Sequence, residues 1–283
     1  MIEDMNGPQY ESISCPYCQG QDHSIFALGR ELDSFRFYRR LEGFEAVNYV
    51  RCGTCQLVYS NPRLKYSNTT LNDLFPKHVA LRLRDRDPES DAQRESKRRK
   101  VGRVAELLGR PGRWLEIGCG FGQAMRQARD LGFTVVGTEI FSGFIDYCQA
   151  RGLEVRPGSV DRIEFDTASF DVVYMEDLLE HLTQPFAFID EAARVLTPGG
   201  ILFIHTWVID RSGSVADAFG PDWKANYNLD LTAHTTIFPA DLLKASLIER
   251  GFVIEKVDEH ARSVESSTAA GRHQIWDLYC RKR

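Results

Sequence analysis

A glycine-rich run in the middle of the chain limits the folds that this sequence can adopt. Residues 113–122 read RWLEIGCGFG, an apolar segment followed by glycines at positions 118, 120 and 122. The apolar part predicts a buried strand, and the glycines permit a tight turn whose backbone can approach a ligand where a Cβ would collide with it. A helix that begins after the turn would direct its first amide groups toward that ligand. The run therefore predicts a strand, a turn and a helix arranged around a nucleoside.

A second apolar segment narrows the choice of nucleoside. Residues 134–139 read TVVGTE, and Glu139 could accept hydrogen bonds from both ribose hydroxyls. A dinucleotide turn requires a third glycine where this chain has Gln123, and Glu116 would repel a pyrophosphate but attract an ammonium or sulfonium group. The spacing favours S-adenosylmethionine (SAM) over a nicotinamide dinucleotide. A dehydrogenase and a glycine turn without a ligand are the alternatives.

Four of the seven cysteines form two C-x-x-C pairs near the start of the chain. In a cytosolic protein, pairs at this spacing are typical of a tetrahedral Zn²⁺ site, and four thiolates leave no open position, so the zinc would be structural. The 33 residues between the pairs leave room for a small sheet, which predicts a zinc-ribbon-like domain over 12–62. A redox motif and unligated buried thiols are the alternatives. The predicted zinc ligands are Cys15, Cys18, Cys52 and Cys55.

Composition excludes several function classes. A chain of 283 residues has room for about two domains. The net charge of -5 disfavours a protein that depends on coating nucleic-acid phosphates. No apolar run approaches the roughly 18 residues of a membrane span, and residues 1–14 lack the apolar centre of a signal peptide. We therefore expect a cytoplasmic protein with neither a membrane nor a nucleic acid as its partner.

Strands and helices alternate along the second part of the chain, which predicts a doubly wound α/β fold with a mostly parallel sheet. Ligands of such sheets bind beyond the carboxyl ends of the strands. We expect a polar linker at 63–94 and the main domain at 95–283. The basic stretch from Arg94 to Arg103 predicts a solvated helix face, with a nucleic-acid contact as the alternative. The predicted strands end near Cys119, Ile140, Pro157, Tyr174 and His205, and helices are predicted at 90–109, 142–151 and 185–196.

Five sequence landmarks resemble those of class I SAM-dependent methyltransferases of the ubiquinone-methylase-like superfamily. They are LEIGCGFG, VVGTE, FDVVYMEDLLEHL, RVLTPGGILFI and HTTIFPADLLKASLIERGF, and the resemblance covers about residues 95–283. It implies a seven-stranded sheet whose last strand, Gln274 to Cys280, is antiparallel and inserts between the fifth and sixth strands.

The resemblance also implies a set of cofactor contacts. The turn from Gly118 to Gly122 would lie under the methionine part of SAM, and Glu139 would hold the ribose. Ser159 and Val160 stand beside the expected adenine, where the family usually has an acidic residue that comes later here, as Asp161. The complete implied set is Glu116, Gly118, Cys119, Gly120, Gly122, Glu139, Ile140, Ser159, Val160, Met175 and Glu176.

The N-terminal part resembles the zinc-binding domain of some bacterial methyltransferases, including C-methyltransferases that act on nucleotide-linked deoxysugars. Residues 52–62, CGTCQLVYSNP, carry the resemblance. After the fifth strand, however, the sugar enzymes have a tract rich in Glu, Tyr and His, whereas this chain begins a different insert at 205–208, HTWV. A sugar acceptor is therefore only one interpretation among others.

Methyl transfer from a sulfonium requires an aligned acceptor and, for many acceptors, a general base. Three histidines lie near predicted strand ends and are the catalytic candidates: His181, His205 and His234. The alternatives are a helix-start or packing role for His181, a core role for His205 and a substrate-binding role for His234. The segment from Trp207 to Phe238, which also contains Phe219, Trp223 and Tyr227, is expected to set the choice of acceptor.

Together these features predict transfer of a methyl group from SAM to a small-molecule acceptor, such as a sugar nucleotide or a biosynthetic intermediate. An RNA methyltransferase that uses the zinc module and the basic helix is the first alternative. A non-catalytic SAM-binding scaffold is the second.

Overall fold

The computed structural model describes residues 10–32, 46–65, 91–158, 163–211, 213–225, 229, 234–260 and 274–283. The strands are β1 (Tyr10–Glu11), β2 (His23–Ala27), β3 (Asn48–Cys52), β4 (Val58–Asn61), β5 (Arg63–Leu64), β6 (Arg113–Ile117), β7 (Thr134–Glu139), β8 (Val155–Pro157), β9 (Phe170–Glu176), β10 (Leu196–Ile209), β11 (Thr236–Pro239), β12 (Phe252–His260) and β13 (Gln274–Lys282). The helices are α1 (Asp91–Leu108), α2 (Gln123–Asp130), α3 (Ser142–Gln149), α4 (Pro185–Val195), α5 (Val215–Phe219) and α6 (Ala240–Glu249).

A seven-stranded sheet with the order β8-β7-β6-β9-β10-β13-β12 forms the centre of the main domain. Neighbouring strands run parallel from β8 to β10. Strand β13 is antiparallel to both β10 and β12, which confirms the predicted placement of the last strand between its two neighbours. Residues 172–175 of β9 and 201–204 of β10 are fully buried. Helices on the two faces of a parallel sheet exclude water from both sides, so such strands are apolar throughout.

The N-terminal sheet is continuous with this central sheet. Strands β2, β3 and β4 pair antiparallel. Strand β4 then pairs antiparallel with β11, where Tyr59 faces Thr236, and β11 pairs parallel with the end of β10, where Phe238 faces Val208. The small module is thus joined to the main domain by backbone hydrogen bonds. The predicted boundaries at 62 and 94 remain a prediction, and residues 66–90 of the expected linker lie outside the described residues.

Helix α1 departs from the prediction of a solvated face. Arg98 is exposed, but Lys97 and Lys100 turn inward, and the side chain of Lys100 is only 6% exposed. The reason is a carboxylate at the end of β9, Glu176, which pairs with both lysines. Among the described residues, no helix is long and apolar enough to cross a membrane.

Candidate functional site

The glycine turn after β6 has the geometry that its sequence predicts. Gly118, Gly120 and Gly122 have φ angles of 69°, 49° and 66°, a region that side chains disfavour. The amide of Gly118 donates to the carbonyl of Thr138 at 2.8 Å, which fixes the turn to the end of β7. A Cβ on Gly122 would lie 2.5 Å from Leu153 Cδ1. The turn therefore brings bare backbone to the carboxyl edge of the sheet.

Glu139 holds the turn and the end of β7 together. One carboxylate oxygen accepts from the amide of Gly120 at 2.9 Å, and the other accepts from Ile140 at 2.7 Å and Phe141 at 3.1 Å. Burial raises the pKa of Glu139, and the three amide donors oppose that rise. A carboxylate held at this position can also accept hydrogen bonds from a ribose.

Replacing Glu139 with Gln is expected to loosen the turn. The side-chain amide of Gln has one acceptor oxygen where the carboxylate has two. It therefore cannot accept from the backbone N–H of Gly120 and from those of Ile140 and Phe141 at once, and one side would lose its acceptor. The free energy of unfolding should fall by about 1–3 kcal/mol. Urea denaturation measures this, with Glu154→Gln as the control because Glu154 is half exposed and pairs with exposed Arg156. Equal unfolding midpoints for the two variants would show that Glu139 does not hold the turn.

Glu116 lies at the end of β6, beneath the glycine turn, and is only 5% exposed. Its Oε2 atom is buried with no hydrogen-bond partner among the described residues. Burial raises the pKa of Glu116 to about 8; Glu176 adds to the rise and Lys97 opposes it. A buried carboxylate oxygen without a donor is costly. Its surroundings therefore fit a ligand that brings a cationic donor, as the ammonium group of SAM would.

A cavity of about 370 Å³ opens beyond the carboxyl ends of β6, β7 and β8. This volume is in the range of small-molecule pockets. The lining is mixed, with slightly more apolar than polar surface, and its apolar part suits a flat heterocycle. Ser159 and Val160, expected beside adenine, lie outside the described residues, as does Asp161. The described lining consists of Ile117, Thr138, Arg156, Pro157, Gly158, Ile163, Glu164, Phe165 and Phe188.

Glu176, at the end of β9, is the centre of a buried ion-pair cluster. Lys100 Nζ lies 2.9 Å from Glu176 Oε1, Lys97 Nζ lies 3.6 Å from Oε2, and the hydroxyl of Tyr174 donates to Oε2 at 2.7 Å. Burial alone would raise the pKa of Glu176, but the two lysines outweigh burial and lower it to about 2. The side chain of the preceding Met175 is buried in the core, so only its backbone reaches the edge of the sheet.

His205, in β10, lies beside this cluster and pairs with Asp277 of β13. His205 Nδ1 is 2.5 Å from Asp277 Oδ1, and the other ring nitrogen is 3.5 Å from Asp177 Oδ1. The second oxygen of Asp277 contacts His260 Nε2 at 2.7 Å. Burial and the nearby charge of Lys100 disfavour the imidazolium, but the hydrogen bond to Asp277 and the charges of Asp177 and Glu176 together outweigh them and raise the pKa of His205. The result is a carboxylate-oriented imidazole.

His181 and His234 come together in a separate group. Their ring centroids are 4.7 Å apart. Glu180 lies beside them, and one ligand atom from each of these three residues is within 4.8 Å of the others. Glu180 Oε2 accepts from Thr206 Oγ1 at 2.8 Å, whereas Oε1 is buried without a partner among the described residues. The structure thus separates the three candidate histidines into one pair and one carboxylate-bound residue.

Several residues of this site are absent from the sequence-based candidates. Lys97 and Lys100 belong to a stretch that resembles a solvated face, so the sequence gives no sign of their burial. Asp277 is different, because QIWDLYC places a single charge within an apolar strand, and a buried charge needs a partner. Asp177 has a φ of 50°, which is uncommon outside glycine and marks a constrained turn after β9.

The four cysteines of the two C-x-x-C pairs converge. The sulfur of Cys15 lies 3.4 Å from that of Cys55, and the sulfur of Cys18 lies 3.5 Å from that of Cys52. All four sulfur atoms are within 4.8 Å of one another. The two pairs form similar turns. In each, the residue that follows the second cysteine, Gln19 or Gln56, has a positive φ, and its amide donates to the carbonyl of the first cysteine. Two matched turns of this kind can present four thiolates to one ion.

The aromatic residues of the 207–238 segment do not all face the cleft. Phe219 is buried in an apolar cluster with Phe26 and Tyr49 of the N-terminal sheet, and Trp223 packs against the same cluster. Tyr227 lies outside the described residues. These two aromatic side chains therefore attach the segment to the small module.

Comparison with known proteins identifies the central region. Residues 115–204 match the family described as "Methyltransferase domain". The matched residues carry a methyltransferase domain. The match spans β6 to β10, and so includes the glycine turn, Glu139 and the residues that follow β9.

Curated relatives support this assignment over the same region. A probable SAM-dependent methyltransferase of Mycolicibacterium smegmatis is 32% identical over 94 residues, which cover 32% of this chain and 37% of that protein. A ubiquinone biosynthesis O-methyltransferase of Xanthomonas oryzae is 35% identical over 101 residues, which cover 33% of this chain and 42% of that protein. The chain thus matches only about two fifths of the length of these relatives.

Solved structures show the same fold. The 1,6-didemethyltoxoflavin-N1-methyltransferase of Burkholderia thailandensis, solved with bound 1,6-didemethyltoxoflavin and S-adenosylhomocysteine, has a TM-score of 0.56 at 17% identity. The match covers 83% of this chain and 95% of that one. The geranyl diphosphate C-methyltransferase of Streptomyces coelicolor has a TM-score of 0.54 at 15% identity, covering 70% and 88%. At these identities the likeness concerns the fold alone.

Proposed function

We propose that the protein transfers a methyl group from SAM to a small-molecule acceptor, and that its four-cysteine cluster binds one structural zinc ion. The observation that carries the proposal is the pair of buried glutamates around the glycine turn. Glu139 is fixed at the end of β7, and Glu116 presents an oxygen without a donor. One suits a ribose and the other an ammonium, at the two ends of one cofactor.

The other cofactor contacts follow from this placement. SAM, when bound, supplies an activated methyl group on a sulfonium. The backbone of Gly118 to Gly122 would lie against its methionine part, and the cavity beyond β6, β7 and β8 would take the adenine. Glu176 would act on the methionyl carboxylate indirectly, by fixing the cationic Lys97 and Lys100 at the edge of the site.

We assign the role of general base to His205. Its Nδ1 is committed to Asp277, which leaves Nε2 directed toward Asp177 and the cleft. In the transfer, an acceptor O–H would give its proton to His205 Nε2. The acceptor oxygen would form a bond to the methyl carbon as the sulfur–carbon bond breaks. The electron pair of the broken bond would remain on sulfur. Asp277 would hold the ring and stabilise the imidazolium.

Replacing Asp277 with Asn tests this positioning role. We expect kcat to fall about tenfold or more while the SAM dissociation constant stays unchanged. Loss of the carboxylate should lower the pKa of His205, so the acidic limb of the pH profile should move to lower pH. Lys100, Glu176, Asp177 and His260 also face this pair and remain in the variant.

The matched control for this variant is Asp258→Asn. Asp258 faces Asp277 across the β12/β13 ladder but pairs with Lys256 near the surface. The Asp258→Asn variant should have the same kcat and the same pH profile as the unaltered protein. An Asp277→Asn profile that coincides with the control would remove His205 from the reaction.

Calorimetry with SAM and with S-adenosylhomocysteine tests the function itself. Micromolar binding of both is expected, and a metabolite library incubated with the protein and SAM should yield a product heavier by one methylene group. No binding of either ligand would refute a SAM-dependent activity. The RNA methyltransferase alternative loses part of its basis because Lys97 and Lys100 are engaged by Glu176; salt-sensitive RNA binding would restore it.

A further inference from the structure

We propose that Glu180, His181 and His234 form a divalent metal site, distinct from the cysteine cluster, that binds an oxygen of the methyl acceptor. This inference rests on the proposed function and names the acceptor as a molecule with a hydroxyl or phenol group. Its first basis is convergence. Two imidazoles and one carboxylate place their ligand atoms within 4.8 Å of one another, although His234 is 53 residues beyond His181.

A buried, unsatisfied oxygen points to a ligand at this position. Glu180 is only 2% exposed, and its Oε1 has no partner among the described residues, while Oε2 is fixed by the hydroxyl of Thr206. An unpaired carboxylate oxygen in such a place is destabilising unless something binds it. A cation bound here would be coordinated by that oxygen and by the two neighbouring imidazoles at the same time.

The surrounding structure holds these side chains from behind. Glu180 and His181 belong to a 3-10 turn, Leu179–His181, that follows β9. Thr235, next to His234, donates its amide to the carbonyl of Glu180 at 2.8 Å and its hydroxyl to the carbonyl of Leu182 at 2.9 Å. The two chain segments that supply the ligands are thereby tied together.

The N-terminal module adds a second support. The buried hydroxyl of Tyr49, in β3, donates to the carbonyl of His234 at 2.6 Å. This hydrogen bond fixes the main chain of His234, and with it the point from which the imidazole extends. The small module thus contributes directly to the position of one proposed ligand.

The donor set indicates the class of ion. Imidazole nitrogens suit zinc, iron and related transition ions, and carboxylates suit harder ions, so a mixed set favours Mn²⁺, Fe²⁺, Co²⁺ or Zn²⁺ over Mg²⁺ or Ca²⁺. Three protein ligands leave coordination positions open. This differs from the four-cysteine cluster, whose ligands would fill a tetrahedral ion.

The position of Asp177 connects this site with the proposed base. Asp177 precedes Glu180 in the segment that follows β9, and its Oδ1 lies 3.5 Å from His205 Nε2. An acceptor hydroxyl bound to the ion would become more acidic. Its proton would pass to His205 Nε2, its oxygen would bond to the methyl carbon, and the electron pair of the broken sulfur–carbon bond would stay on sulfur. The ion itself is neither oxidised nor reduced.

Titration with Mn²⁺ tests the proposal. The full chain, already loaded with zinc at the cysteine cluster, should bind one further Mn²⁺ per chain by calorimetry, with loss of the free-ion electron paramagnetic resonance signal. Glu180→Gln keeps an acceptor for Thr206 but removes the charge, and should weaken Mn²⁺ binding roughly a hundredfold, since a direct ligand exceeds its supports in effect. Glu154→Gln should bind Mn²⁺ as the unaltered chain does.

A second variant and a second ligand keep the outcomes distinct. His234→Gln should weaken Mn²⁺ binding as well. This variant tests the metal site if Glu180→Gln fails to fold. Both variants should bind SAM as the unaltered protein does. Unchanged Mn²⁺ affinity in either folded variant, or no Mn²⁺ binding by a protein that binds SAM, would overturn the metal site and leave the methyltransferase proposal standing. Failure of the unaltered protein to bind SAM would instead count against the methyltransferase proposal.

Discussion

A Cys18→Ser, Cys55→Ser double variant is expected to lose nearly all of its zinc and to melt far below the unaltered protein. The four sulfurs converge within 4.8 Å, and Cys15 and Cys52 are fully buried. For sites that form only on folding, the free energy of zinc binding is folding free energy, and apparent values are about 10–16 kcal/mol in zinc-finger peptides. Removing two of four thiolates should therefore abolish the stability of the small module.

The effect is expected to extend beyond that module because of the shared sheet. Strand β4 pairs with β11, and the amide of Ser60 donates to the carbonyl of Thr235 at 2.9 Å. Tyr49 holds the carbonyl of His234. When β2 to β4 unfold, β11 loses its partner on one edge and the 234–239 segment loses its support. Acceptor methylation should then fail even where SAM binding by the glycine turn persists.

Elemental analysis and thermal unfolding measure the two effects. The unaltered chain should hold one zinc, and the double variant close to none. Cys280→Ser is the control, since Cys280 is buried in β13 and belongs to neither C-x-x-C pair, so it isolates the cost of burying a hydroxyl. A double variant that keeps full zinc would refute the four-thiolate assignment.

The fold was largely accessible from the sequence because its main signals are local. The glycine turn depends on residues within ten positions, and its φ angles leave little choice of residue. The placement of β13 between β10 and β12 was also foreseen, although from family resemblance and not from its own residues. By contrast, the pairing of Tyr59 with Thr236 joins positions 177 residues apart, as their numbers give. No local pattern encodes such a pairing.

The candidate site was less accessible for a related reason. The sequence named three histidines but could not show that His205 pairs with Asp277 while His181 meets His234. A charged run such as that of α1 has the same composition whether it faces water or a carboxylate. Lys100 is buried because it pairs in the folded protein with Glu176, which lies 76 residues further along the chain. Side-chain partners across the sheet therefore set roles that residue types alone leave open.

Glu116→Gln is expected to stabilise the ligand-free protein at alkaline pH and to weaken SAM binding. Burial raises the pKa of Glu116 from 4.5 to about 8. Between these values the folded state binds more protons than the unfolded state, so this group makes the free energy of unfolding fall as pH rises from about 4.5 to 8. Each unit in that window is worth about 1.4 kcal/mol at most. The variant should lack this slope and exceed the unaltered protein in stability at pH 8 by about 4 kcal/mol.

The same substitution should reduce SAM affinity by about tenfold or more, because a charge-assisted hydrogen bond to the ammonium is replaced by a neutral one. Below the pKa of about 8, SAM must also displace the proton from Glu116 in order to form that pair. Calorimetry at pH 7 in buffers of different ionisation enthalpy should therefore detect close to one proton released on SAM binding to the unaltered protein and none on binding to the variant.

Glu154→Gln, at an exposed ion pair, should keep both the stability slope and the proton release. If Glu116→Gln keeps them too, then Glu116 is not the carboxylate that meets the cofactor. If both disappear while SAM affinity falls, the carboxylate that destabilises the ligand-free fold is the group that selects a cationic ligand. The instability of Glu116 without a donor would then be the physical source of its preference for SAM over a pyrophosphate.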